Sequence, residues 1–324
     1  MRRYLGKRTI TAIISVLLVL VINFTIIRLA PGDPARLLVG TAAPSAEQVE
    51  LITKKYGLDK PVYVQFLKYL GNLVRGDLGS SYYTNEPVAK LIGEKLGYTA
   101  LLTLTALLIA VLLGTWAGIS CARHIGGGLD NFVGSITYVI DGFPSFWLGL
   151  MLMLVFASVL GILPYSGIMN IRENYTGFRR VLDIAEHMVL PVATLAILHF
   201  PYYFRISRAA MIQTLGEEYM TTLWVAGMPK RRIFRKYAFR NAILPTVTAV
   251  SIHMAYIVTG SALVEIVFGW PGMGSYVMQS ISRRDYPVLM GIYLMLSVSV
   301  AVMMIVIDLL YAVLDPRISH ATRN

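Results

Sequence analysis

Cysteine occurs once in 324 residues, at Cys121. A single thiol excludes an intramolecular disulfide, a four-cysteine metal cluster and a Cys-x-x-Cys redox pair. Charge is also scarce, at 15% of residues, against about 25% in a soluble domain. Such a chain would leave a water-facing surface short of charge, so a soluble enzyme is disfavoured. Catalytic signatures are missing as well. The five histidines, His124, His187, His199, His253 and His320, form no His-Glu-x-x-His or His-x-His pattern, and there is no Gly-x-Ser-x-Gly elbow. Gly126-Gly127-Gly128 lacks the Lys-Ser/Thr step of a phosphate loop and reads as a turn.

Apolar residues are abundant, at 56%, with a mean hydropathy of +0.62. They are concentrated in charge-free stretches: Thr9 to Ile27, Leu96 to Ala122, Gly142 to Ile171, Met188 to Phe204, Asn241 to Val264 and Tyr286 to Ile307. A helix needs about 20 apolar residues to cross about 30 Å of hydrocarbon. The expected fold is therefore an all-α polytopic membrane protein with six transmembrane helices, near 9–29, 99–121, 133–160, 187–204, 244–266 and 287–311. An outer-membrane barrel would show alternating segments of roughly 10 residues instead.

The net charge of +11 is informative through its distribution. With both termini placed on the cytoplasmic side, the cytoplasmic segments hold 15 Lys or Arg against 4 Asp or Glu, and the external ones 13 against 11. This is the positive-inside pattern, and it removes the need to invoke nucleic acid. The first apolar stretch follows Arg2, Arg3, Lys7 and Arg8. Ile26 to Pro34 shows no convincing small-x-small cleavage site, so the stretch reads as a retained helix.

Residues 31–98 are expected to form a small external helical insertion between helices 1 and 2. Its turn signals are Pro31-Gly32-Asp33-Pro34 and Gly76-Asp77. Ser45 and Gln48 have capping-box spacing before a helix at 45–56. A second helix begins at Pro61, with Val62, Phe66 and Tyr69 able to share a face. Asp141-Gly142-Phe143-Pro144 interrupts the third apolar stretch, where Pro144 is expected to kink the helix.

The cytoplasmic connection 205–243 carries eight basic residues against Glu217 and Glu218. It reads as a helix to Val225, a breaker at Ala226-Gly227-Met228-Pro229, and a basic helix entering the fifth span: a surface another protein could push. Within the spans, Asp308 and Glu265 lie near helix ends and are expected to be structural. Asp141 and His253 lie deeper and are candidates for a substrate path. Trp147, Trp224 and Trp270 read as membrane-interface aromatics.

Several motifs in fixed order carry a resemblance. Glu218-Tyr219-Met220-Thr221-Thr222-Leu223-Trp224-Val225-Ala226-Gly227-Met228-Pro229, followed by Arg240-Asn241-Ala242-Ile243-Leu244-Pro245, resembles the cytoplasmic signature loop of permease subunits of binding-protein-dependent ABC importers. The match is nearest the dipeptide, oligopeptide and nickel branch. Also matching are Pro31 to Pro34, Tyr56-Gly57-Leu58-Asp59-Lys60-Pro61, Gly76-Asp77-Leu78-Gly79 with Ser81, Val264 to Gly274, Arg284-Asp285-Tyr286-Pro287, and Asp308 to Tyr311 through Leu314 to Arg317. Thr221-Thr222-Leu223 replace the general Glu-Ala-Ala opening, and Leu244-Pro245 comes five residues late, as is common in the peptide branch.

The resemblance implies a permease without its own ATPase site, spanning 1–324 in a bacterial or archaeal cytoplasmic membrane. It would pair with a second homologous permease, two ATP-binding subunits that hold ATP and Mg, and an extracytoplasmic solute-binding protein. Glu218, Tyr219, Thr221, Thr222, Val225, Ala226, Gly227, Met228 and Pro229 would couple it to the ATPases. No cofactor or metal is implied for this chain. Short peptides are the expected cargo, with nickel or a nickel chelate as the alternative. A self-sufficient secondary transporter or channel would instead use Asp141, His253 and Glu265 as ion-coupling groups and show internally repeated halves.

Overall fold

The computed structural model describes residues 2–29, 45–56, 59–257 and 261–314. The Pro31–Pro34 turn, Gly57, Leu58, the side chain of Asp308 and the motif from Asp315 to Arg317 lie outside the described residues. Every described element is helical: α1 Arg2–Leu29, α2 Ala46–Tyr56, α3 Val62–Val74, α4 Val88–Cys121, α5 Gly128–Asp141, α6 Ser145–Leu152, α7 Gly177–Leu215, α8 Glu218–Val225, α9 Leu244–Ala255, α10 Ala262–Val267, α11 Met273–Arg283 and α12 Tyr286–Leu314. Four of them contain apolar segments long enough to cross a membrane, at 8–27, 88–121, 177–215 and 286–307; counting the bent pair α5 and α6 as one span gives five.

The chain divides into two compact units, one of residues 1–98 and 272–324 and the other of 99–271. In the first, α1 packs along α12. The Ser45 and Gln48 box forms: Gln48 N donates to Ser45 Oγ at 3.2 Å, and Ser45 N to Gln48 Oε1 at 3.1 Å. Phe66 and Tyr69 of α3 share a face, with ring centroids 5.1 and 6.0 Å from Phe24. Val62, expected beside them, stays 55% exposed, because the single Phe24 ring is met by the later turns only.

Two motifs far apart in sequence meet in this unit. Ser81 Oγ donates to Asp285 Oδ2 at 2.5 Å and Tyr82 N to Asp285 Oδ1 at 3.0 Å, with both Ser81 and Asp285 buried. Gly291 lets the start of α4 approach α12: a Cβ there would stand 2.6 Å from Val88 Cγ1.

In the second unit α7 is the axis. Its 39 residues extend about 58 Å, beyond the hydrocarbon thickness, and it retains Pro191 and Pro201 in its interior, as membrane helices can. Helix α4 packs on it through a glycine pair. A Cβ on Gly114 would stand 2.8 Å from Tyr203 Cβ, and one on Gly118 2.5 Å from the Phe204 carbonyl oxygen. This Gly-x-x-x-Gly contact is the small-residue packing of membrane helices. Ser207 bridges the neighbours, sharing hydrogen bonds with Thr115 at 3.3 Å and Thr246 at 2.9 Å.

Two of the expected spans are not single helices. At Gly142-Phe143-Pro144 the third bends by 105°, a break rather than a kink. Pro144 lacks an N–H and disfavours helical geometry at the residue before it, and Phe143 stacks on Trp147 across the corner at 4.9 Å. The fifth comprises α9 and the six-residue α10. Glu265 on α10 is fully buried and accepts a hydrogen bond from Thr99 Oγ1 at 2.9 Å, so its carboxylate is held inside the unit and away from solvent. Trp270 is also buried, at 1% exposure, in a core with Leu102, Leu190 and Phe268; it is a packing residue and not an interface aromatic. Trp147 and Trp224 remain 39% and 42% exposed.

Candidate functional site

The basic connection folds as its punctuation requires. After α7 ends, Glu217 is extended and α8 begins, with Glu218 in its first turn, where a carboxylate suits the positive end of the helix dipole. Helix α8 closes on a Schellman motif: Met228 N donates to the Leu223 carbonyl at 3.2 Å and Gly227 N to that of Trp224 at 3.0 Å. Gly227 supplies the left-handed residue that this closure needs, at φ +73°. Its apolar partner contact is present too, since Leu223 and Met228 pack on the same core. Pro229 then starts the next helical run, whose first amide bond is Arg232 N to the Pro229 carbonyl at 2.8 Å.

Beneath α8 lies a dry core. Met211, Met220, Ile233 and Ala238 are fully buried, joined by Ile119, Ala122 and Ala242. Residues 233–238 form a π-helical stretch within this packing. The opposite face of α8 is bare: Glu218, Tyr219, Thr221, Thr222, Val225, Ala226 and Gly227 are exposed, Val225 at 84%. Asn241 Nδ2 donates to the Tyr219 hydroxyl at 2.7 Å, joining the two halves of the sequence motif. The nine coupling candidates thus form one contiguous element, with Met228 half-buried as its anchor.

Asp141 and His253 are not brought together. The Asp141 carboxylate pairs with Arg205, and the Tyr203 hydroxyl and His253 Nδ1 share a hydrogen bond at 2.5 Å. Residues 203 and 205 point about 200° apart around α7, so the two candidates lie on opposite sides of that helix. His253 also stands 5.3 Å from His199, ring to ring. Both line a cavity of about 180 Å³ with Thr103, Leu107, Tyr256 and Ser261. Among the described residues no group of three or more His, Cys, Asp or Glu side chains converges as metal ligands.

One charged pair escaped the sequence reading. Arg208 Nε and Nη2 donate to the two oxygens of Asp130 at 2.6 and 2.7 Å, and Gly126 N donates to the same carboxylate at 2.9 Å. With Asp130 5% exposed, this bidentate pair closes the Gly126–Gly128 turn and ties α5 to α7. Asp141 is eleven residues from Asp130, three turns along the same face. Arg205 and Arg208 likewise share a face, so α5 is tied to α7 twice. A carboxylate pair spaced 11 apart on an otherwise apolar helix was the available signal.

Long apolar helices and a glycine-packed α4 and α7 define a helical membrane protein, with an exposed helix–turn held on a buried core. The comparisons specify it. The profile of the family described as binding-protein-dependent transport system inner membrane component matches residues 110–320, and that of its N-terminal component matches residues 1–103. The chain belongs to this family: it is a multi-pass, non-catalytic permease subunit of the bacterial inner membrane.

Relatives match along nearly the whole length. The oligopeptide transport system permease protein AppB of Bacillus subtilis is 33% identical over 321 residues, covering 99% of this chain and 100% of the relative. The glutathione transport system permease protein GsiC of Escherichia coli K12 is 35% identical over 322 residues, with the same coverage. The probable D,D-dipeptide transport system permease protein DdpB of the same strain is 37% identical over 317 residues, 93% of each chain.

Proposed function

We propose that this chain forms half of the transmembrane passage of an ATP-driven importer of short peptides, paired with a second, homologous permease. Two ATPase subunits carrying ATP and Mg dock on the region 205–243, and an external solute-binding protein delivers the cargo. The cargo assignment is supported by the relatives named above, whose transport systems are for an oligopeptide, glutathione and a D,D-dipeptide; this favours peptides over nickel. The proposed topology has six crossings with both termini cytoplasmic, α5 with α6 and α9 with α10 each serving as a broken crossing, and residues 31–98 as the external insertion.

The observation that carries the coupling role is the contrast across α8, bare on one face and anchored by Met220 to a sealed core on the other. A helix held this way transmits a push to α4 and α7 instead of absorbing it, because packed cores deform little. Exposed Arg232, Lys236 and Arg240 set the register of an acidic partner surface more than its affinity. His253 and His199 are assigned to the passage, as they place polar groups on a cavity within the helices whose other walls include Leu107 and Leu195. Asp141 is assigned to the strap on α7 through Arg205.

The test is uptake into proteoliposomes holding this permease with its copurifying subunits and binding protein, with di- to pentapeptides and nickel measured in parallel. ATP-dependent peptide uptake is expected. Uptake by this chain alone, driven by an ion gradient, would refute the proposal.

A further inference from the structure

Beside α8 the cations do not scatter over the surface; they converge. Arg123, His124, Lys230, Arg231 and Arg235 line one cavity of about 670 Å³, together with Trp224 and Phe234. The Arg123 guanidinium lies 4.3 Å over the Phe234 ring, and Lys230 Nζ is 5.8 Å from the Trp224 ring centroid. The aromatic faces hold the cations without neutralising them, and the lining contains no carboxylate.

This basic cavity shares Arg123, Phe234 and Arg235 with a second, of about 660 Å³. The second runs along α4 toward the middle of the membrane helix and is mainly apolar, lined by Leu112, Trp116, Ile119, Phe239 and Ile243, with Thr115 and Ser120 as its small polar members. Leu112 and Trp116 are 60% and 70% exposed on it. A topogenic charge excess accounts for the sign of the loop but not for four charged bases in one concavity, nor for the apolar groove that continues from it.

We infer that this composite groove binds one anionic phospholipid of the cytoplasmic leaflet, its phosphate among Arg123, Lys230, Arg231 and Arg235 and an acyl chain along Leu112, Trp116 and Ile243. A basic pocket at the cytoplasmic end of membrane helices is suited to an anionic headgroup, and a free phosphate would leave the apolar half unused. The lipid would bridge α4 to the run 230–243, stiffening the floor on which α8 rests. The inference rests on the cytoplasmic placement of the coupling region proposed above.

The test uses the purified assembled importer and native mass spectrometry, titrating dioleoyl phosphatidylglycerol or dioleoyl phosphatidylcholine. Retention of one phosphatidylglycerol in preference to phosphatidylcholine is expected. Each charge removed should weaken it roughly fivefold and Arg123→Gln/Arg235→Gln about 25-fold, whereas Arg123→Lys/Arg235→Lys, a control for folding, should stay near wild type. Ser120→Trp, which fills the apolar groove and leaves the charges, should also abolish retention. Equal retention of both lipids, or no loss in the glutamine variant, would overturn the inference. So would competition by inorganic phosphate, which would mark a simple anion site, or lipid retention only in importer stripped of its ATPases and not in the assembled complex, which would give the surface to them. Peptide uptake by the same preparations separates the two proposals: uptake with charge-independent lipid retention sinks only the lipid site, and selective retention without peptide uptake sinks only the transport reading.

Discussion

The region under α8 and the region around His253 are both attached to α7, yet they are built in opposite ways. Below α8, Met211, Met220 and Ile233 are fully buried in close contact. Around His253 the helices leave a cavity of about 180 Å³, walled by His199, Thr103 and Tyr256. In the first arrangement the buried side chains interlock and move as a block, the open space lying to its side. The second offers space and polar groups, and can rearrange or take water. Under the proposed function the first would be the place where the permease is driven and the second the place open to cargo.

Four substitutions would break or sharpen this comparison, the largest effect first. Gly118→Leu should abolish assembly of the complex. Its Cβ would stand 2.5 Å from the Phe204 carbonyl oxygen, which is backbone and cannot yield, so the cost should exceed the ~1–3 kcal/mol of ordinary overpacking. Gly134→Ala, with nothing within 4 Å, should assemble normally; size-exclusion yield of the complex checks both. Arg208→Ala leaves Asp130 buried without its fork and should cost about 3 kcal/mol, at the low end for a broken buried pair because Arg208 is 30% exposed. The double variant with Asp130→Asn should recover part of that loss in thermal unfolding.

Gly227→Val comes next. It forces a β-branched residue to φ +73°, costing about 1–2 kcal/mol. Substrate-stimulated ATP turnover should fall several-fold while membrane insertion is unaffected; normal coupling in an assembled variant would remove the turn from the mechanism. His253→Phe should be the smallest in stability, about 1 kcal/mol, the low end of the cost of leaving the buried Tyr203 hydroxyl without its partner, because the adjoining cavity can admit a water. It should still alter the rate or peptide preference of uptake, and unchanged uptake would take the His253 cavity out of the passage.

Much of this architecture was legible in the chain, because its signals are local. The Ser45 and Gln48 box, the start at Pro61 and the Gly227–Pro229 breaker each act within a few residues, and each formed where expected. The broken third and fifth spans were only half legible: hydropathy reports a long apolar run but is blind to the direction change at Gly142–Pro144. That the nine coupling candidates form one helix and turn was legible through their motif. The separation of Asp141 from His253 was not, since it depends on which side of α7 each meets, and Arg205 and Tyr203 are 64 and 50 residues away from them. The Asp130 and Arg208 pair, separated by 78 residues, was hidden for the same reason. Gly114 and Gly118 had a readable spacing and were passed over among 27 glycines.

The most direct measurement is chemical cross-linking from the exposed rim of α8. In the assembled importer, with Cys121→Ser removing the one native thiol, cysteines placed at Val225 and Thr221 would be treated with a short thiol-to-amine cross-linker. The account predicts links from both positions to an ATPase subunit, stronger or weaker with bound ATP, and none from Met220→Cys on the buried face. Failure of Val225 and Thr221 to link to the ATPase in a complex that hydrolyses ATP and takes up peptide would contradict it.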